Sequence, residues 1–177
     1  RANMIGTLGT EFLTFADSDL DFKNSQWRVY PGGRKDRTGL YQIPDSFGLR
    51  GRVDVLQTQA KVGDFVGKFL IDTGSPGALL LDGAAAEKSG IWASQQPYAP
   101  ASTRGFGGRS TRTRVYRQDR LKLYKFVLED QYVRLMQPGN VRGQFDKYDG
   151  LIGMGALRFF DVSIDTKSKA MWLSPNG

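Results

Sequence analysis

"FLIDTGSPGALLLD", Phe69 to Asp82, decides how this chain is read. An apolar run delivers Asp72 to Thr-Gly-Ser-Pro-Gly, and the chain resumes as Ala-Leu-Leu-Leu. The pattern is strand, tight loop, strand, with a carboxylate on the loop. Gly74 lets the backbone approach a neighbour closely. Thr73 supplies a hydroxyl that can brace the loop. Ser75 can donate to the carboxylate, which favours its ionised form. An ordinary turn also uses Asp, as a cap on its own backbone. The rest of the chain has to separate a catalytic Asp72 from a turn residue.

Composition narrows the chemistry. The 177 residues contain no Cys and no His. That excludes disulfides, thiol nucleophiles, Ser-His and Cys-His pairs and the common zinc sites. There is no G-x-x-x-x-G-K-[ST] phosphate loop, and "GFGG" at Gly105 to Gly108 lacks dinucleotide spacing. Acid–base work must fall to Asp, Glu, Lys or Tyr, and no metal or cofactor is expected. A formal charge of +7 permits acidic partners without requiring them. No run approaches the ~18 apolar residues of a membrane span.

Glycines and turn residues punctuate short apolar runs, which predicts a mainly β fold with few, short helices. "RVDVLQTQAKV" alternates as a half-buried strand, "GDFVG" reads as a turn, and "KFLID" as a buried strand. "LLDGAAAEKSG" is the clearest helix and "QQPYAPAS" a loop. "STRTRVYRQDRLKLYKFVL" alternates long enough for one or two strands, and "QPGNVRG" is another turn region.

An internal repeat organises the chain. Gly6 to Gly33 aligns without a gap on Gly150 to Gly177, at an offset of 144. Nine of the 28 positions are identical: Gly6/Gly150, Gly9/Gly153, Leu13/Leu157, Phe15/Phe159, Asp17/Asp161, Asp21/Asp165, Lys23/Lys167, Pro31/Pro175 and Gly33/Gly177. Each copy reads as an apolar pair plus Gly, a short helix, a strand, a polar turn and a second strand. Two copies of an ending imply two units. Residues 1–34 are expected to be the tail of an upstream lobe, 35–47 a connection and 48–177 a complete lobe. The same offset places the counterpart of Asp72 roughly 70 residues before Arg1.

"LIDTGS", followed about 80 residues later by "GLIGMGALRFFDVSID", resembles the aspartic peptidases. The closing segment is similar to the end of a pepsin-like lobe. The short unit and "RGFGGRS" are more like the retropepsin-like branch, whose lobe is a closed or partly open β-barrel with one or two short helices. The resemblance implies that Asp72 is one member of a carboxylate dyad that activates water against a peptide bond. It implies that Thr73 and Gly74 interlock with counterparts at a lobe interface, with Ser75 supporting the loop. Leu151, Ile152 and Gly153 would pack behind that loop. Gly105, Phe106, Gly107 and Gly108 would form a flap over a peptide or protein substrate. The bacterial relatives are often exported, a lean toward periplasm or secretion.

No second D-[ST]-G occurs in the chain. The partner carboxylate would come from an upstream lobe, which the repeat favours, or from a second copy in a homodimer, and the chain alone would then lack activity. Two other readings stay open. The fold could serve as a catalytically silent peptide-binding module. The run Arg104, Arg109, Arg112, Arg114, Arg117 and Arg120 could mark a basic nucleic-acid-binding β domain, although a solvated strand face explains it more simply. Trp92, Tyr98, Phe160 and Trp172 read as core or cleft walls, and Asp17, Asp21, Asp161 and Asp165 as cap and strand-end residues.

Overall fold

A computed structural model describes residues 9–104, 110–139, 145 and 147–177. In chain order its elements are α1 (Thr10–Leu13), β1 (Asp17–Asp21), β2 (Gln26–Tyr30), β3 (Tyr41–Ile43), β4 (Phe47–Arg50), β5 (Val53–Val62), β6 (Phe65–Ile71) and β7 (Leu79–Leu81). Then follow α2 (Gly83–Lys88), α3 (Ile91–Ser94), β8 (Ala99–Arg104), β9 (Ser110–Leu123), β10 (Phe126–Met136), β11 (Gly150–Ile152), α4 (Met154–Leu157), β12 (Phe160–Asp165) and β13 (Ala170–Pro175). The protein is mainly β, as expected. Its described residues group into two units, one of residues 1–57 with 158–177 and the other of residues 58–157.

In the 58–157 unit, strands β5-β6-β11-β7-β10-β9 are hydrogen-bonded in that order. β9 returns to pair with β5 through Ala60, Lys61 and Val62, so the sheet closes into a barrel-like ring. β8 lies outside the ring, along β9. Tyr116, Leu121 and Leu123 of β9 are buried, as are Val62, Phe69, Leu79, Leu81, Val133, Leu135 and Ile152, all essentially inaccessible. Asp82 caps α2 by accepting from the Ala85 N–H at 2.7 Å.

The structure moves two sequence boundaries. The turn read at "GDFVG" is only Gly63–Asp64, and Phe65 already belongs to β6. "QQPYAPAS", read as a loop, contains the start of β8, with Pro100 opposite Arg114. β8 is an edge strand, and an edge tolerates a residue that cannot donate to the ladder.

The other unit holds an antiparallel sheet in the order β2-β1-β12-β13-β3. Both copies of the repeat contribute a strand pair, and their first strands adjoin: Ser18 faces Ile164, Asp19 faces Ser163, and Leu20 faces Val162. This register is symmetric. Exchanging the copies by the offset of 144 turns the Ser18–Ile164 pair into the Leu20–Val162 pair, so a pseudo-two-fold axis passes at Asp19/Ser163. One sheet face carries Leu20, Val162, Ile164, Met171, Leu173 and Ile43, all buried. The opposite face carries Asp17, Asp19, Asp21, Asp161 and Asp165.

Asp17, Asp19 and Asp165 are held by the segment that follows β2. Arg34 pairs with Asp19 at 2.7 Å, and Arg37 bridges Asp17 at 2.8 Å and Asp165 at 3.3 Å. The repeat-related turns are capped alike: Asp21 accepts from the Asn24 N–H and Asp165 from the Ser168 N–H, each at 2.9 Å. The strand-end role expected of Asp21 and Asp165 is what the structure has.

Asp17 and Asp161 occupy equivalent positions and behave oppositely. Burial pushes Asp17 up. Hydrogen bonds from the Arg34 and Thr166 N–H groups, Arg37 and the Thr166 hydroxyl outweigh it and bring the carboxyl down to about 2. A lowered pKa stabilises the fold above the ordinary carboxylate range, and that contribution disappears as pH falls from about 4 toward 2. We expect an acid-unfolding transition in that window. Asp17→Asn should flatten it and cost about 2 kcal/mol at neutral pH.

Asp161 is raised, first by burial and then by the charges of Asp21, directly across the strand pair, and Asp19. Its Oδ1 is buried without a partner. A raised pKa has the opposite sign: the charged form opposes folding at neutral pH, and protonation relieves it. Asp161→Asn is expected to raise the melting temperature at pH 7 and to lose that advantage near pH 4. Thermal scans at the two values check it.

Candidate active site

Asp72 sits where β6 gives way to a loop that leads into β7. The chain fills the gap between those strands with β11. Leu151 and Ile152 pair in parallel with Leu70 and Ile71 of β6, and antiparallel with Leu80 and Leu79 of β7. The two motifs, about 80 residues apart in sequence, therefore lie side by side. The Asp72 N–H donates to the Ile152 carbonyl at 2.8 Å. The Ser75 and Gly77 carbonyls accept from the Met154 and Gly155 N–H groups at 2.7 and 3.1 Å. The Gly153 N–H donates to the Ala78 carbonyl at 3.2 Å. The start of α4 thus satisfies the polar backbone of the Asp72 loop, which fixes it without side-chain scaffolding.

Three glycines make the approach possible. A Cβ at Gly153 would strike the Ser75 and Gly77 carbonyl oxygens, and one at Gly155 would lie 2.5 Å from the Ala78 nitrogen. Gly150 has φ +147°, and a Cβ there would land on the Leu80 carbonyl. Leu151 and Ile152 run between β6 and β7, and Gly153 follows them against the carbonyls of Ser75, Gly77 and Ala78.

The Asp72 carboxylate is partly exposed. Its Oδ1 accepts from the Gly74 N–H at 2.9 Å. Sequence alone points to Ser75 as the donor. Among the described residues the bond comes from Gly74, whose missing side chain leaves room, since a Cβ there would lie 3.1 Å from Oδ1. Ser75 instead contributes its N–H to the Asp72 carbonyl at 3.1 Å. Thr73 is half-buried, and its hydroxyl has no partner among the described residues. The loop presents one carboxylate with one oxygen fixed by backbone, an arrangement suited to a general acid or base.

One supporting residue escapes a reading of the sequence. Asp149 accepts from the Lys68 N–H through Oδ2, donates its own N–H to the Lys68 carbonyl, and accepts from the Asp82 N–H, at 2.8, 2.8 and 2.9 Å. It anchors the entry to β11 against both flanking strands. Its only sequence signal is the Asp-Gly dipeptide, which looks like any turn.

The flap residues Gly105, Phe106, Gly107 and Gly108, with Arg109, lie outside the described residues. The β8–β9 pairing runs from Ala99 opposite Val115 to Arg104 opposite Ser110. Arg112, Arg114, Arg117 and Arg120 of β9 are all exposed. Arg114 stacks 4.2 Å from the Trp92 ring centre, and Arg117 pairs with Asp130 at 2.7 Å. These are the contacts of a solvated strand face. Tyr98 is exposed against Tyr132, whereas Phe160 belongs to the core. The described residues contain no cluster of three or more metal-ligating side chains.

No curated protein matches the sequence. Among solved structures, a retropepsin-like aspartic protease from Rickettsia conorii is 18% identical, with a TM-score of 0.47, covering 78% of this chain and 93% of that one. The family model described as aspartyl protease matches residues 58–156, more than half of the chain and nearly coincident with the unit that carries Asp72. The chain belongs to the aspartyl protease family.

Proposed function

We propose that this chain supplies one half of an aspartic endopeptidase active site, with Asp72 as its catalytic carboxylate. The observation that carries the reading is β11 lying beneath the Asp72 loop, with Ile152, Met154 and Gly155 taking up its backbone bonds. This holds a carboxylate at a fixed position and leaves one oxygen available to water. A second carboxylate a few ångströms away would share a single proton with it, because two like charges that close do not both ionise readily. The ionised member takes a proton from water, which attacks the peptide carbonyl. The protonated member stabilises the developing oxyanion and then protonates the leaving amine. No covalent intermediate and no histidine are needed.

The partner Asp is proposed to come from an upstream lobe of the same polypeptide. The repeat and the symmetric pairing of β1 with β12 support that source over a second copy. The absence of a second D-[ST]-G from this sequence favours one other reading, a peptide-binding lobe without chemistry. The test is peptide cleavage at acidic to neutral pH by the polypeptide with its upstream residues, compared with its Asp72→Asn variant. Undiminished cleavage in the variant overturns the proposal.

A further inference from the structure

The unit of residues 1–57 with 158–177 holds a cavity of about 420 Å³, none of whose lining residues belongs to the Asp72 loop. It is lined by the chain that leaves β2 and by the turn that joins β12 to β13. A cavity of that size can take a small organic molecule. Phe15, 61% exposed, and Tyr30 supply aromatic wall. Arg37, Thr166, Lys35 and Lys167 supply polar groups.

The acceptors at this cavity are already engaged. Asp17 Oδ1 accepts from the Thr166 N–H and hydroxyl, at 2.9 and 3.0 Å. Its Oδ2 accepts from the Arg34 N–H and the Arg37 guanidinium, at 3.1 and 2.8 Å. Asp165 Oδ1 accepts from the Ser168 N–H, and its Oδ2 faces Arg37 at 3.3 Å. Asp19 Oδ1 pairs with Arg34, and its Oδ2 accepts from the Tyr30 hydroxyl at 2.8 Å. Each of these carboxylate oxygens therefore has a donor. The donors, by contrast, are in surplus. Lys35 and Lys167 are exposed and have no partner among the described residues. Arg37 Nε is buried with no acceptor. Four cations, Arg34, Lys35, Arg37 and Lys167, stand with three carboxylates, Asp17, Asp19 and Asp165, which leaves one positive charge in excess.

We propose that this cavity binds a small carboxylate with an apolar body, its charge held by the ammonium groups of Lys35 and Lys167 and its body against the Phe15 ring. Surplus donors call for an acceptor, and an ionised carboxylate is an acceptor only. One excess positive charge matches a monoanion. The second charge of a phosphate would be left facing Asp17, Asp19 and Asp165. A cation is the wrong occupant, because each nearby carboxylate oxygen already has its donor. A free carboxylic acid and the C-terminus of a peptide carry the same chemistry. The inference goes beyond the proposed peptidase reading and does not depend on the role of Asp72.

Amide NMR titrations of the 177-residue chain test it. The probes are 3-phenylpropanoate, its neutral amide, inorganic phosphate, and the tripeptide Ala-Ala-Phe with a free or an amidated C-terminus. With 3-phenylpropanoate, saturable shifts are expected at Gly33, Thr166, Lys167 and Ser168, with a Kd in the millimolar range or tighter. The neutral amide should bind about tenfold more weakly, and so should 3-phenylpropanoate to the Lys35→Gln/Lys167→Gln double variant. Neither lysine holds a carboxylate of the fold, so that variant should melt with the parent. Phe15→Ala should weaken binding severalfold. Asp72→Asn should leave it unchanged, which keeps this site apart from the catalytic reading. Tighter binding of the free-acid tripeptide than of 3-phenylpropanoate assigns the site to peptide C-termini, and the reverse order assigns it to free acids. No saturable shift, equal binding of the neutral amide, phosphate binding as tight as 3-phenylpropanoate, or full binding by the double variant overturns the proposal.

Discussion

Replacing Asp72 by Asn is expected to lower kcat/KM for peptide cleavage by about two to four powers of ten, the usual contribution of a positioned acid or base. The fold should be untouched. An Asn oxygen can still accept from the Gly74 N–H, and the bond from the Asp72 N–H to the Ile152 carbonyl uses only backbone. What disappears is the titration. An amide neither takes a proton from water nor shares one with a second carboxylate. The variant should therefore unfold at the same temperature as the parent and bind peptide with similar affinity. A fall in melting temperature parallel to the loss of rate would assign Asp72 a structural role instead.

The largest expected loss of stability lies elsewhere, at Gly150. Substitution by Val forces a β-branched residue into φ +147° and drives its Cβ onto the Leu80 carbonyl, which is backbone and cannot swing away. Backbone strain and overpacking together should cost roughly 3–5 kcal/mol, read from the urea midpoint. Gly32 serves as the control, because a Cβ added there would meet nothing within 4 Å and its φ is not positive. Gly32→Ala should fall within about 0.5 kcal/mol of the parent. β11 also carries the Ile152 carbonyl that receives the Asp72 N–H. Activity in the Gly150 variant should therefore fall even at temperatures where the protein stays folded.

The strands that can be read from sequence are the long ones, in which apolar and polar residues intermix. β9 and β10 run over 14 and 11 residues, and β5 over 10. The Asp72 loop is legible because apolar residues flank a polar, glycine-bearing turn, and the backing strand because the apolar pair plus Gly occurs twice. β3 is not legible. It has three residues between Gly39 and Pro44, and it exists because β13, more than a hundred residues away, offers it an edge. The first turn of β6 is obscured by Gly67, which looks like a breaker. In the structure Gly67 allows the Asp149 carboxylate and two phenylalanine rings to crowd the strand. Asp149 goes unnoticed as a brace because its partners are amides of Lys68 and Asp82, which no local pattern connects to it. The repeat itself is plain, but its strand register is not, because pairing across 144 residues leaves no local trace.

The threading of β11 between β6 and β7 also sets an order of events in time. Until Gly150–Ile152 emerge from the ribosome, β6 and β7 have a gap between them. The Asp72 N–H then lacks its acceptor, and the Ser75 and Gly77 carbonyls lack their donors. Such long-range closure is slow to form relative to hairpins. The Asp72 loop is therefore fixed only after residues 150–155 have been synthesised, and a chain truncated before them cannot hold Asp72 in place.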